Sequence, residues 1–408
     1  MSIRARVQIG LAAVLAIFLA ASVATTPDAR AGGKVKPEVF SLHAFSSQPG
    51  VPGSSLRLNC TPLWRDVQPQ KGTFVWDEFD NVVSRDRDSW GYGDLMYVPC
   101  GTPEWAGGAV KQPNKEVRGF KSTAPPKKMK FYEKFMTKVV KRYKGKIRYY
   151  QTWNEITSPQ FFQGSPKQAA KMTKILHKVV KQNDSKAKVV SASVQTHTSA
   201  YRQYGSDYLR ELNKLNWPVK FVAGHFYPLD KGGPDARVKQ IQQFKQTAKN
   251  AGMPKKKKIW DTEANFWTSV VDPNPAGKVR GKKAATYLAR NFLDTIRLGL
   301  KRSYWYHWTV GNQDLNFPGV QLRTGDPATT AWQTLYGWIV GTKYQGCDTK
   351  GKLVRCNFKG SDGKFQIAFT TSGKTKIKTK GKEACPVNGG TCQTNKKTTI
   401  KTLPKRIA

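Results

Sequence analysis

Two glutamates stand where chemistry could begin. One closes the run Ile147-Arg148-Tyr149-Tyr150-Gln151-Thr152-Trp153-Asn154-Glu155, and the other follows Lys257-Lys258-Ile259-Trp260-Asp261-Thr262 as Glu263. An Asn-Glu pair alone means little, since about one per 400 residues arises by chance at average composition. The signal is that both acids end apolar, strand-like runs three strand–helix units apart. Two carboxylates placed in that way can cleave a glycosidic bond with retention. One protonates the leaving oxygen and later activates water; the other attacks the anomeric carbon, with the carboxyl groups about 5–5.5 Å apart. In a barrel, residues at the C-terminal ends of strands are the ones that converge on a shared pocket.

The elements that would position these acids are legible as an alternation of strands and helices. Eight strand-like runs are expected at 38–44, 55–60, 94–100, 147–153, 188–194, 219–225, 257–262 and 302–308. Between them, Ser165-Pro166 with Gln168 reads as a capping box with proline in the first turn. Val238, Ile241, Phe244, Ala248 and Ala251 recur at helical spacing until Gly252 and Pro254 stop the run. Phe131, Phe135 and Val139 mark a further helix. Eight such alternations predict an α/β fold, a (β/α)₈ TIM barrel over 32–342. A doubly wound open sheet would need a glycine-rich phosphate loop after the first strand, and the sequence has none there.

Beyond residue 343 the texture changes to short β-like stretches between glycine-rich turns, which predicts a small basic β-sandwich-like domain at 343–408. It carries four of the six cysteines, Cys347, Cys356, Cys385 and Cys392, expected to form two bridges among three available pairings. Cys60 and Cys100 each end a strand-like run and invite a bridge between neighbouring strands. The alternation Lys374, Lys376, Lys378, Lys380 suggests one charged strand face, read either as a guarded edge strand or as a polyanion-binding surface.

Residues 1–31 read as a secretory signal peptide. Arg4 and Arg6 precede an apolar run from Ile9 to Ala20, too short to span a bilayer, and Ala29-Arg30-Ala31 supplies a cleavage site. Secretion, to the medium or to a bacterial cell wall, is the expected localisation. The chain has 69 Lys plus Arg against 27 Asp plus Glu, a net charge of +42. Such a field concentrates polyanions or a negatively charged wall without specifying which. Export, only five histidines and the lack of a recognition motif argue against nucleic acid as partner.

On these residues the chain resembles glycoside hydrolase clan A, most of all family 39, which includes β-xylosidases and α-L-iduronidases. The stretch LRLNCTPLWRDVQPQKGTFVWDEFD (56–80), GTPEWA (101–106) and HFYP (225–228) carry the family likeness, which spans roughly 38–340. The resemblance implies Glu155 as acid/base and Glu263 as nucleophile. It further implies Asn154 on the sugar 2-hydroxyl, Arg57 holding Glu263 ionised, and Tyr227 or His225 orienting Glu263. Trp308 would floor the cleavage subsite, with Trp305 its rival of opposite strand parity; His43 and Trp105 would wall it. Neither metal nor cofactor is expected, and the protein is expected to be a monomer without membrane insertion. The loops at 107–130, 196–206 and 268–283 are expected to shape the subsites. The competing function is a non-catalytic carbohydrate- or wall-binding protein on a barrel of this kind.

Overall fold

The computed structural model describes residues 32–109, 123–228, 232–266, 279–308 and 319–408. The expected signal segment lies outside these residues. Eight parallel strands close into a barrel: β1 (Phe40–Leu42), β2 (Ser55–Asn59), β3 (Asp94–Val98), β4 (Tyr149–Gln151), β5 (Lys188–Val190), β7 (Phe221–His225), β8 (Lys258–Ala264) and β9 (Ser303–Trp305). A two-residue strand, β6 (Val194–Gln195), extends the rim beside β7, and the ring closes through β5 with β7 and β1 with β9. All eight sequence-predicted runs therefore become barrel strands, most of them shortened by one to four residues at one or both ends, while β8 runs two residues past its expected end, to Ala264.

Strand alternation divides the side chains between two cores. Leu56, Leu58, Leu95, Tyr97 and Val222 face the surrounding helices. Met96, Tyr149, Val190, Ala223, Trp260 and Tyr304 fill the lower barrel. The next inward layer is polar, with Arg57, Gln151, His225 and Thr262 at that parity.

The helices form for the reasons the sequence suggested. In α4 (Pro166–Asn183) the Ser165 side chain accepts from the Gln168 amide at 3.2 Å while Gln168 Oε1 accepts from the Ser165 amide at 2.8 Å. That reciprocal pairing satisfies amides which the first turn cannot bond internally. Helix α6 (Gly233–Asn250) buries Val238, Ile241, Phe244 and Ala248, then ends before Gly252, whose φ of 78° suits a residue without Cβ. One expectation fails: residues 196–206 are not an open loop, since α5 runs Ser199–Lys214 with Thr198 accepting from Tyr201 at its N-cap.

Helix α8 (Pro327–Ile339) leads into an antiparallel β unit. Its six-stranded sheet runs β10 (Lys343–Lys350), β11 (Leu353–Gly360), β12 (Gly363–Thr370), β17 (Lys405–Ile407), β14 (Glu383–Pro386) and β15 (Gln393–Thr394). A ribbon of β13 (Thr375–Lys378) and β16 (Lys397–Ile400) packs over it through Ile400, Ala368, Ala384 and Ile407. The disulfides pair Cys60–Cys100, Cys347–Cys356 and Cys385–Cys392. The first joins the ends of β2 and β3, as their positions suggested; the others resolve the three open pairings.

Candidate active site

Glu263 reaches the barrel interior through an irregularity in β8. Plain alternation would send Asp261 outward, Thr262 inward and Glu263 outward. Asp261 does face out, where Arg237 of α6 bonds it at 2.6 Å. At Glu263, however, the register with β7 jumps from Gly224↔Asp261 to His225↔Glu263. A bulge of this kind re-aims a side chain, so Thr262 and Glu263 both point into the mouth.

Glu155 needs a different device. Its φ is 40°, in the left-handed region that L residues rarely adopt. The conformation is held by the Glu155 amide on Ser193 Oγ at 2.8 Å and the Ile156 amide on the Ser193 carbonyl at 3.2 Å. The turn brings Glu155 back over the barrel, 5% exposed, opposite Glu263 at 7%. Oxygens of the two carboxylates and a nitrogen of His225 lie within 4.8 Å of one another.

Arg57, fully buried on β2, organises both sides. It donates to Glu263 Oε2 at 2.9 Å, to Asn154 Oδ1 at 2.8 Å and to Gln151 Oε1 at 2.9 Å. Glu263 is further bonded by the Tyr227 hydroxyl at 2.8 Å and by Asn59 Nδ2 at 3.3 Å. Of the two residues considered for orienting Glu263, Tyr227 is the one that does so. His225 instead places Nδ1 2.8 Å from Glu155 Oε1 and 4.0 Å from Glu263 Oε2.

The direction of the hydrogen bonds follows from Arg57, which can only donate. Gln151 Oε1 is its acceptor, so Gln151 Nε2 faces Thr262 Oγ1 and donates to it at 3.2 Å. The Thr262 hydroxyl, with one proton to give, lies 3.0 Å from His225 Nε2, and we assign its proton to that nitrogen. This leaves the proton of neutral His225 on Nδ1, donating to Glu155 Oε1. Burial drives the His225 pKa down to about 3, so the ring is neutral at physiological pH. His43 lies below, its Nε2 donating to the Thr262 carbonyl at 3.2 Å, and burial with the Arg57 charge keeps it neutral as well.

The two acids are tuned unequally. Burial pushes Glu155 up to about 7, against the pull of Arg57 and a hydrogen bond from Gln195. Glu263 is also raised by burial, with repulsion from Glu155 adding to it, while Arg57 and the Tyr227 hydroxyl pull it back. The expectation that the Arg57 charge lowers the Glu263 pKa has the right sign, but desolvation outweighs it and the net shift is upward.

Asn59, Gln151, Thr262, Ser193 and Gln195 belong to this site and were missed by sequence reasoning. Asn59 and Gln151 share inward parity with Arg57 and Tyr149, a signal that could have found them. Trp308 and Trp105 are not brought into contact with the carboxylates among the described residues. Trp308 donates from Nε1 to Ser47 Oγ at 3.1 Å and packs on Gly50. Trp105 donates to the Gln68 carbonyl at 3.1 Å and packs edge-on against Trp64 and Phe131. Trp305 is fully buried beside Phe266, a core residue. Tyr306 has the inward parity that pointed to Trp308. Its ring lies 5.1 Å from that of His43, and it stands close enough to Tyr227 to raise that hydroxyl's pKa. It is half-buried and follows β9 directly, with a cis peptide to His307.

The cluster Glu155, His225 and Glu263 has the residue types of a metal site, but the Arg57 guanidinium already occupies the Glu263 carboxylate and would repel a dication. A second cluster, Glu383 with Cys385 and Cys392, offers no thiolates because the cysteines are bridged.

Residues 126–296 match a family profile described as "Glycosyl hydrolase catalytic core". The chain carries a glycosyl hydrolase core. The matched span includes Glu155, His225, Tyr227 and Glu263, so this enzyme's profile and its buried carboxylate pair coincide. Among solved structures the hydrolase is similar to a family 39 glycoside hydrolase from the gut symbiont Bacteroides cellulosilyticus WH2, at 15% identity and TM-score 0.67, over 91% of this chain and 81% of that one. It is also similar to a family 39 β-xylosidase from Caulobacter crescentus, at 14% identity and TM-score 0.62, over 93% and 97%. A family 51 arabinofuranosidase from Xanthomonas axonopodis pv. citri matches at 11% identity and TM-score 0.58, over 92% and 97%. These likenesses carry the fold, in keeping with the expected clan A barrel and its β domain. No curated protein matches the sequence.

Proposed function

We propose that the protein is a secreted, monomeric, retaining glycoside hydrolase that cleaves a polysaccharide by double displacement. The observation that carries this reading is that one carboxylate oxygen of Glu155 lies within 4.8 Å of one of Glu263. Inverting enzymes hold their acids about 6.5–9.5 Å apart to admit a water, whereas retaining ones keep them about 5–5.5 Å apart.

In the first step Glu263 Oε attacks the anomeric carbon as Glu155 gives its proton to the departing glycosidic oxygen. The bond to the leaving group breaks and a glycosyl ester of Glu263 forms. Glu155, with a pKa near 7, is substantially protonated at neutral pH and suited to this role. Esterification removes the Glu263 charge, and with it the repulsion that favoured the protonated form of its neighbour. Glu155 then takes a proton from water, whose oxygen attacks the anomeric carbon and releases Glu263. Asn154 has its amide oxygen committed to Arg57, which turns Nδ2 toward a sugar 2-hydroxyl, where a bond would strengthen as the ring flattens. Tyr306, rather than Trp308, is the aromatic placed to underlie the sugar.

The net charge of +42 favours an anionic polymer, such as a uronic-acid polysaccharide or a cell-wall glycan, and the amino-terminal segment favours export. Two buried, mutually repelling acids are a costly arrangement for a protein that only binds sugar, which disfavours the non-catalytic reading. The test is release of reducing ends from a panel that includes uronic-acid polymers, xylans and arabinans. At least one polymer should be cleaved by the wild type and not by Glu263→Ala; full activity in that variant would reject the assignment.

A further inference from the structure

The β unit holds a groove of about 540 Å³ remote in sequence from the carboxylate pair. The β13–β16 ribbon covers only part of the six-stranded sheet, and the groove opens where it stops. Its floor includes Asn357 and Gln366, directly opposite each other on β11 and β12, with Gln366 Nε2 donating to Asn357 Oδ1 at 2.9 Å. Gln345 continues this amide row on β10. Lys364, Lys378, Lys380 and Lys382 line the walls, and none of the lining residues is acidic.

One local feature is unfavourable without an anion. Lys378 lies directly across from Lys397 in the ribbon, a like-charge pair of the kind that destabilises a sheet. Lys380 has a φ of 54°, a left-handed position that glycine or asparagine fills more readily. Its neighbour Thr379 is buried and donates to the Asn395 carbonyl, which anchors the turn carrying Lys378, Lys380 and Lys382. The expected lysine face thus proves shorter as a strand, because β13 ends at Lys378, but the later lysines curve round to wall a concave site.

We infer that this groove binds a strand of anionic polysaccharide, its lysines neutralising carboxylates or sulfates and its amides bonding ring hydroxyls. Single-stranded nucleic acid is disfavoured because such sites stack bases on exposed aromatic faces. The aromatic here, Phe365, is 6% exposed and has Arg406 over its ring at 4.7 Å. The inference does not depend on the catalytic proposal, since the groove and the carboxylate pair share no residue.

The test measures binding of the full chain to polygalacturonate, heparin, neutral xylan and a mixed-sequence DNA oligonucleotide. Three forms are compared: the parent, a groove triple variant (Lys378→Gln, Lys380→Gln, Lys382→Gln) and a control triple on α4 (Lys171→Gln, Lys174→Gln, Lys181→Gln). The control removes the same charge from exposed lysines elsewhere. A Glu263→Gln background prevents consumption of the probe, so the result is independent of turnover. At physiological salt the groove triple should weaken polygalacturonate or heparin binding at least tenfold and the control less than twofold, with Asn357→Ala weakening it severalfold. Binding to the polyanion should fall as salt rises; xylan should show no such contrast. Binding of polygalacturonate, which carries carboxylates only, would show that carboxylates suffice, and binding of heparin alone would point to its sulfates. Equal losses in the two triples would reduce the effect to net charge and overturn the inference. So would tighter binding of the DNA through the same lysines.

Discussion

Arg57 holds Glu263 at 2.9 Å and Asn154 at 2.8 Å with two nitrogens of one guanidinium, tying the acid on β8 to the residue preceding Glu155. The pair is buried, so truncation leaves a carboxylate without its counter-charge. Arg57→Met should cost about 3–5 kcal/mol of stability at pH 8, where Glu263 is ionised. The loss should shrink at acidic pH as that carboxyl protonates. Chemical denaturation at the two pH values checks this; a pH-independent loss would mean that packing, not charge, is what Arg57 supplies.

Glu155 makes the opposite prediction. Its folded pKa of about 7 lies above the ordinary value of 4.5, so the folded state binds the extra proton between those values. Ionised Glu155 therefore opposes folding above pH 7, and below pH 4.5 it is protonated in both states and contributes nothing. Glu155→Gln should raise the Tm at pH 8 and leave it nearly unchanged at pH 4. The catalytic rate should fall on the alkaline side as the acid loses its proton, with an apparent pKa near 7. A variant no more stable than the parent at pH 8 would contradict the burial argument.

The hydrogen-bond chain from Arg57 through Gln151 and Thr262 assigns a tautomer that can be read without any substrate. With five histidines in the chain, ¹⁵N NMR should resolve His225 as the neutral Nδ1–H form across pH 5–8. Thr262→Val removes the donor to Nε2 and should admit the other tautomer, with a loss of about 10–100-fold in the acid-dependent step. Substrates with activated aryl leaving groups, which need little protonation, should be affected less. An Nε2–H ring in the parent protein would refute the chain.

Cys60–Cys100 joins the strand ends beside Asn59, which touches Glu263. Closing a loop of 40 residues restricts the unfolded chain, and Cys60→Ser with Cys100→Ser should cost about 3–4 kcal/mol. Differential scanning calorimetry of the double variant measures the loss.

The barrel was readable because strand alternation and helix periodicity are local, and each was reinforced by caps and stops such as Ser165 and Gly252. Arg57, Glu155, Tyr227 and Glu263 were readable because they sit at or near strand ends. What escaped depended on three-dimensional context. Strict period-two reading turns Glu263 away from the mouth, and only the β8 bulge reverses it. The left-handed φ of Glu155 has no glycine or asparagine to announce it. Trp308 had the right parity and its amide still bonds the His43 carbonyl at 2.9 Å, yet its indole packs on the Ser47–Gly50 segment. The 196–206 region looked loop-like, but Thr198 caps a helix there. Of the loops expected to shape the subsites, 110–122 and 267–278 lie outside the described residues.

The anomeric configuration of the first product tests double displacement most directly. An aryl glycoside turned over by the enzyme is followed by ¹H NMR before mutarotation can scramble the signal. The carboxylate spacing predicts that the initial sugar keeps the configuration of the substrate, and that Glu155→Ala with azide yields a glycosyl azide of that same configuration. An initial product of inverted configuration would mean that Glu263 does not form the covalent ester, and the assignment of the two acids would fail.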